Sequence, residues 1–549
     1  MRLPALLVAT MLTMTTLPAA AQADASTGRF DRPHTGFAPP WTQLHRGNPG
    51  LDPAPIDAAL DQVSRYTEPD ATGHPMFAGA VTLLAHDGSV VAQRPTGWAV
   101  RYSDAKGTEL PVEQQVPMAE NTIFDLASIS KLFTSIVVMQ QVERGRVRVD
   151  QPVSKYLPEF GVNGKADITV EQLLTHTSGL EPWLPLWQQW PDVPSRIKAV
   201  MDATPKTAPG SAYTYSDLNL ITLGELVRRV SGSPLDELVR KGITDPLGLP
   251  DTGYNPPASK LDRIAATEFE SNPPRGMVRG QVHDENAWSL GGVAGHAGVF
   301  STARDLAVLA QAILNGGTYD GHRILRPQTV KLMTTNFNTE FPEDSHGLGF
   351  ELDQRWYMGA LSSPATAGHT GFTGTTLVVD PMSRSIAILL TNRVHPSRDW
   401  GTINPARRAV ADGLARALAV RPQQGRDAWT PTGATGATLT TGDLPGARKV
   451  SFDAFVDLDE GDSVVLQTGD GTTWRDVKSL TGTGTRKWTR VEAAIDGSRV
   501  RWVYLRGNGY GGRGVYLDGI RISGDRGTVL DAERHPEALT AVGWRAADR

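Results

Sequence analysis

The chain has 549 residues, with 54 Lys+Arg against 59 Asp+Glu, 40% hydrophobic residues and no cysteine. At roughly 150 residues per domain, this length predicts two to four compact units. The near-balanced charge supplies no basic field for nucleic acid. The missing cysteine excludes disulfides, thiol catalysis and thiolate metal sites, so any nucleophile is an oxygen or an amine.

In chain order, Arg2, the apolar run Leu3 to Leu17 and Ala21-Gln22-Ala23 form the three parts of a signal peptide over residues 1–23, with cleavage near Ala23 and a secreted product. No later run approaches 18 apolar residues, so no transmembrane segment is expected. Residues 24–54 read as an unstructured N-terminal extension. From 55 to 420 the pattern is α/β with an all-α insertion. Ile56, Leu60 and Val63 mark a helix, Phe77 to Leu84 a strand, Asp87-Gly88 a hairpin turn, and Leu132, Phe133, Ile136 and Val137 an amphipathic helix starting at Ile129. Short helices such as Leu218–Val230 and Asp305–Leu314 fill the middle. Strands return at Thr375–Val379 and Ile386–Leu390, and a helix over Pro405–Leu418 closes the unit. Residues 421–446, rich in Thr, Gly and Pro, read as a linker, and the short strands of 447–549 as a β-sandwich.

Three strings carry chemistry: Ser128-Ile129-Ser130-Lys131, Tyr215-Ser216-Asp217 and His369-Thr370-Gly371. Each recurs elsewhere, at Ser195 to Lys198, Tyr102 to Asp104 and His34 to Gly36, so context decides. Ser128 lies at the first turn of the amphipathic helix, with Lys131 on the same face at i+3. A serine hydroxyl needs an adjacent base, and a lysine serves when desolvation lowers its pKa toward neutrality. Tyr215 is placed to shuttle a proton to the leaving group. Gly371 permits close backbone approach, and the N–H of Phe372 with that of Ser128 would form an oxyanion hole.

With these motifs, Leu174-Thr175-His176-Thr177-Ser178-Gly179-Leu180, Pro246-Leu247-Gly248-Leu249 and Gly295-His296-Ala297-Gly298 before Ser301-Thr302-Ala303-Arg304-Asp305-Leu306, the sequence resembles the serine β-lactamase and penicillin-binding-protein superfamily over about 55–420. The branch is that of class C β-lactamases, serine DD-peptidases and related esterases. The resemblance implies a β-lactamase/transpeptidase-like fold, an α/β domain packed on an all-helical one. Ser128 would be the acylated nucleophile and Lys131 and Tyr215 its proton-transfer partners. Asp217, His369, Thr370, Gly371 and Phe372 would contact substrate. His369 stands where class C enzymes have lysine, and Asp217 where the common motif has asparagine, a change that removes an amide donor and disfavours an anionic penicillin. Gly280 to Ala287 resembles a segment of carboxypeptidase-related penicillin-binding proteins. The pattern Val515 to Ile520 resembles the last strands of jelly-roll modules.

The expectation is a secreted serine hydrolase, DD-carboxypeptidase-like, acting on a small-molecule or peptidoglycan-type peptide and needing no cofactor or metal. A carboxylesterase or β-lactamase of the same fold, and a non-catalytic muropeptide or penicillin sensor, are the alternatives. His283, Asp284 and Glu285 are adjacent and so do not converge readily on one ion. Trp474, Trp488, Trp502 and Tyr504 either fill the sandwich core or stack on cell-wall glycan.

Overall fold

The computed structural model describes residues 28–459, 461–482 and 484–549. The signal-peptide expectation lies outside them. One sheet organises the first unit. Its central strands are β1 (Gly79–His86), β2 (Ser89–Val100), β3 (Ala367–Thr370), β4 (Thr376–Asp380) and β5 (Ser385–Thr391), in the order β2-β1-β5-β4-β3. These five pair antiparallel. His45–Arg46 adds a parallel edge to β2, Val116–Pro117 also pairs with β2, and Glu351–Leu352 extends the β3 edge.

β1 and β5 are buried along their whole length because both sheet faces are covered. Val81, Leu83 and Ala85 face a core shared with helices α2 (Ser130–Glu143), α3 (Asp217–Ser231) and α4 (Ala303–Leu314). Ala80 and Leu84 face the opposite core with α1 (Pro53–Arg65) and α5 (Asn404–Ala417). The near-continuous apolar run of β1 follows from this two-sided burial. The expected unstructured extension is packed instead: Phe30 and Leu51 join the α1–α5 core.

The helix α2 differs from its expected amphipathic form. It is buried on all sides from Ser130 to Gln141, because it runs through the middle of the helical layer. Leu132, Phe133, Ile136 and Val137 are fully buried, each contributing about 1.5–3 kcal/mol. The opposite face, carrying Lys131 and Thr134, is buried too, so the helix spends polar groups inside the protein. Those groups form the site.

The C-terminal unit is two facing antiparallel sheets. One has six strands, including Ala447–Asp457 and Gly514–Gly524, and the other five, including Ser463–Gly469 and Arg499–Leu505. The expected linker is part of it: Ala428–Pro431 and Ala437–Thr441 each pair into one of the sheets. A stretch of Thr and Gly reads as a linker by composition, yet alternating Ala437 and Leu439 supply a buried face. Trp502 and Tyr504 lie in the sandwich core, and Trp488 docks on the first unit, its Nε1–H donating to Asp31. Arg486 enters the first unit completely. It is 0% exposed, pairs with Asp380 at the end of β4, and lies 4.2 Å above the ring of Phe30. No helix among the described residues is long and apolar enough to cross a membrane.

Candidate active site

Ser128 stands in a 3₁₀ turn, Ala127–Ile129, that leads into α2. Ala127 has φ +47°, a left-handed conformation costly for a residue with a side chain, and persists because its neighbours fix it. Asp125 does much of this. Its carboxylate accepts from the N–H of Ala127 at 2.8 Å and of His283 at 2.6 Å, while its carbonyl accepts from Thr373 at 2.7 Å. Thr375 similarly donates to the carbonyl of Leu126. The serine turn and the loop after β3 are therefore tied together. Gly371 is required there, since a Cβ would lie 2.1 Å from Thr375 Oγ1 and 2.4 Å from the Leu126 carbonyl.

Lys131 projects from the first turn of α2 and donates to Ser128 Oγ at 2.9 Å and to the His296 carbonyl at 3.2 Å. The Gly295-His296-Ala297-Gly298 loop reaches this position because Gly295 lies directly against α3; a Cβ on it would sit 1.8 Å from the Leu220 carbonyl. The side chain of Lys131 is 2% exposed, and its ammonium pairs with Asp217 Oδ1 at 2.8 Å, at the first residue of α3. Burial alone would push this lysine down toward neutrality, but attraction to Asp217, and then to Tyr215, outweighs it and raises the pKa above its ordinary value. The expected depression is thus reversed. Asp217, expected to contact substrate, has its near oxygen on Lys131.

Lys131 Nζ lies 4.7 Å from the centre of the Tyr215 ring, and burial, opposed by Lys131, pushes the pKa of the phenol up to about 12. His176, at φ +58°, stacks on the Tyr215 ring at 4.7 Å. Its Nδ1 accepts from the Ser216 N–H at 3.0 Å, which fixes the backbone between Tyr215 and Asp217. Burial drives the pKa of His176 well down, so it remains neutral. His369 is buried with its ring 6.1 Å from Tyr215, and its Nδ1 pairs with the Thr370 carbonyl. It lines neither cavity around Ser128, whereas Thr370, Gly371 and Phe372 do. The Ser195 to Lys198 string also lies on a helix, Val193–Asp202, but Lys198 points outward and pairs with Asp202. Burial, rather than helical setting, separates the two strings.

Ser128, Tyr215 and Phe372 form a ridge between two cavities. The smaller, of about 360 Å³, is lined by Thr370, Gly371, Glu351, Arg393 and Arg407. Arg407 is 9% exposed and donates to Thr376 Oγ1, Asn404 and the Gly371 carbonyl; Arg393 donates to the carbonyls of Phe372 and Gly401. Among the described residues neither guanidinium has a carboxylate within 4.0 Å. Burial lowers Arg407 to about 10, which leaves it charged at neutral pH, and raises Glu351 to about 7. The larger cavity, of about 640 Å³, is walled by Trp183, Trp187 and a set of carboxylates. Sequence reading missed Asp125, Glu351, Arg393 and Arg407; none lies in a motif, and only the fold brings them to the serine.

Two groups place ligand atoms within 4.8 Å of one another: Asp217, Asp284 and His296, and Glu268, Glu270 and His283. Protein cations already occupy both. Lys131 pairs with Asp217, Arg275 with Glu270 and Arg398 with Glu268.

A buried lysine on a serine hydroxyl, with a tyrosine ring beside that lysine and in the same cavity, at the edge of a sheet packed on a helical layer, defines an active-site-serine hydrolase. A Beta-lactamase family model matches residues 67–412, and the chain belongs to that family. A protein of Escherichia coli K12 named putative D-alanyl-D-alanine carboxypeptidase is 34% identical over 370 residues, covering 61% of this chain and 82% of that one. A penicillin-binding protein homolog from Caulobacter crescentus superposes with TM-score 0.52 at 25% identity, over 67% of this chain and 99% of that one. A class C β-lactamase superposes with TM-score 0.54 at 18% identity, over 69% and 100%.

Proposed function

We propose that the protein is a DD-carboxypeptidase-like hydrolase, exported by its signal peptide, that removes a C-terminal D-amino acid from a peptide through an acyl-enzyme on Ser128. The observation that carries this reading is the small cavity beside the serine. Arg393 and Arg407, without carboxylate partners, await an anion one residue beyond the scissile bond, as the carboxylate of a leaving amino acid would provide. The name of the Escherichia coli relative supports the same substrate class.

In this reading Ser128 Oγ attacks the carbonyl and passes its proton to Tyr215 Oη, while the Tyr215 proton moves to the leaving nitrogen. The C–N bond then breaks and the amine departs neutral, leaving the ester on Ser128. Lys131, held charged by Asp217, stabilises negative charge on Oγ and on the phenol oxygen as it develops. The N–H groups of Ser128 and Phe372 receive the carbonyl oxygen. Water enters by the reverse route, giving its proton through Tyr215 back to Ser128 Oγ. No cofactor is needed.

The test is release of D-alanine from an N-acyl-D-Ala-D-Ala peptide, run beside the matching N-acyl-D-Ala ester of an uncharged alcohol. We expect peptide turnover by the wild type and none by Ser128→Ala. Cleavage of the ester with no cleavage of the peptide would replace this reading by an esterase, and binding of both without turnover by a sensor.

A further inference from the structure

The two cavities flanking Ser128 carry opposite charge. The larger is lined by Asp217, Glu268, Glu270, Asp284, Glu285 and Asp399. Three cations face these six: Lys131 on Asp217 at 2.8 Å, Arg275 on Glu270 at 2.5 Å, and Arg398 bridging Glu268 and Glu285 at 2.6 Å each. These carboxylates outnumber the lysine and arginine cations that face them by three, in a concave space where the field is focused rather than dissipated. The smaller cavity holds two guanidiniums against Glu351 alone.

A second feature of the larger cavity is an unpartnered ring nitrogen. His296 lines the cavity and is 1% exposed, and its Nε2 pairs with Asp284 at 2.9 Å. Its Nδ1 is buried and has no partner among the described residues. Trp183, 42% exposed, and Trp187 offer aromatic faces at the same wall, surfaces that attract an ammonium. Acidic charge and indole faces share one complement, an organic ammonium.

We infer that the acyl side of the site selects a substrate bearing a free amine, so that the preferred substrate is a zwitterionic peptide with its ammonium in the acidic cavity and its terminal carboxylate at Arg393 and Arg407. This rests on the reading of Ser128 as the acylated nucleophile and deepens the carboxypeptidase assignment. Such a substrate lies across the ridge in one orientation only, since reversal would set ammonium on guanidinium and carboxylate on carboxylate.

The experiment compares kcat/KM for Nα-acetyl-Lys-D-Ala-D-Ala with that for its Nε-acetylated twin, using the full chain. We expect at least a tenfold preference for the free amine. It should shrink as salt rises from about 50 to 500 mM, and fall at least threefold in Asp399→Lys, which reverses an exposed charge of the wall. Equal rates, or a preference unmoved by both salt and Asp399→Lys, would overturn the inference. If neither peptide is cleaved, the carboxypeptidase reading fails separately, and p-nitrophenyl 6-aminohexanoate against its acetamide decides the charge question: a preference for the amine sustains it, parity ends it. Failure of Ser128 to acylate with either ester ends both.

Discussion

Asp217→Asn separates two roles for Lys131. The carboxylate lies 2.8 Å from Nζ, the lysine side chain is 2% exposed and the aspartate 19%. At an effective dielectric of about 20, a charge pair at this distance attracts by about 6 kcal/mol, equivalent to about 4 pK units at 1.36 kcal/mol each. Asparagine keeps the shape and removes that attraction, leaving burial as the dominant influence on the ammonium. The lysine pKa should therefore fall by several units, into the range of an ordinary rate profile. If Lys131 acts as a fixed cation, the variant gains an alkaline limb: kcat/KM for a p-nitrophenyl ester, measured from pH 5 to 10, should fall above the new pKa, while the wild type holds its rate. A tenfold or greater loss at pH 9 relative to pH 6.5 is expected. Were Lys131 the base that takes the Ser128 proton, the variant would instead gain rate with rising pH and exceed the wild type near pH 8. That result would refute the mechanism given above and restore the expectation drawn from the Ser-x-x-Lys motif.

Removing the guanidinium of Arg407 with Arg407→Ala should lower kcat/KM for a D-Ala-D-Ala peptide ten- to a hundredfold, and for the C-terminal amide of that peptide by much less; equal losses would mean that the arginine supports the fold alone. Arg486→Ala leaves Asp380 charged, fully buried and unpaired, a loss of about 3–5 kcal/mol; a thermal midpoint within 2 °C of wild type would contradict the buried pair. Acid should destabilise the protein below about pH 6.5. His86, His346 and His395 are held by burial at about 4 and His369 at about 3, so the unfolded chain takes up more protons and the stability present above pH 6.5 is lost as pH falls toward 4. Each contributes about 2 kcal/mol by pH 5. Carboxylates with raised pKa values, Glu351 and Glu533 at about 7 and Asp125, Glu270, Asp305 and Asp412 among others, act in the opposite sense and offset part of this loss. Melting curves at pH 7.5 and 5.0 that coincide would refute it.

What the sequence made legible was local. Leu132, Phe133, Ile136 and Val137 announced a helix, Asp87-Gly88 a hairpin, and the spacing of Ser128 and Lys131 put both on one face, because each signal is complete within a few residues. What it withheld was environment. The helical period of α2 is real, but its polar side faces the Gly295–His296 loop and α3 rather than water, and nothing nearby in sequence says so. The sign of the Lys131 shift depends on Asp217, 86 positions later (217 − 131), at the start of another helix. Thr- and Gly-rich segments near 430–441 looked like a linker because composition reports average polarity, whereas the alternate residues Ala437 and Leu439 are what the sandwich buries.

The strand β4 shows how the two units share one framework. Thr376 at its first residue accepts from Arg407 Nε at 3.0 Å, on the wall of the small cavity, and Asp380 at its last residue accepts from Arg486 of the sandwich. Four residue steps of strand separate them, roughly 14 Å at 3.4 Å per residue. Between these ends, Val378 packs in a core that also contains Phe455 and Tyr516 of the sandwich. Arg486 leaves the sandwich from a residue with φ +49° and gives up its hydration to reach Asp380, a cost that a loosely tethered module would have no cause to bear. The sandwich therefore belongs to the folded body that holds β4 in place, and its removal would expose the α1–α5 core before it affected any ligand of its own.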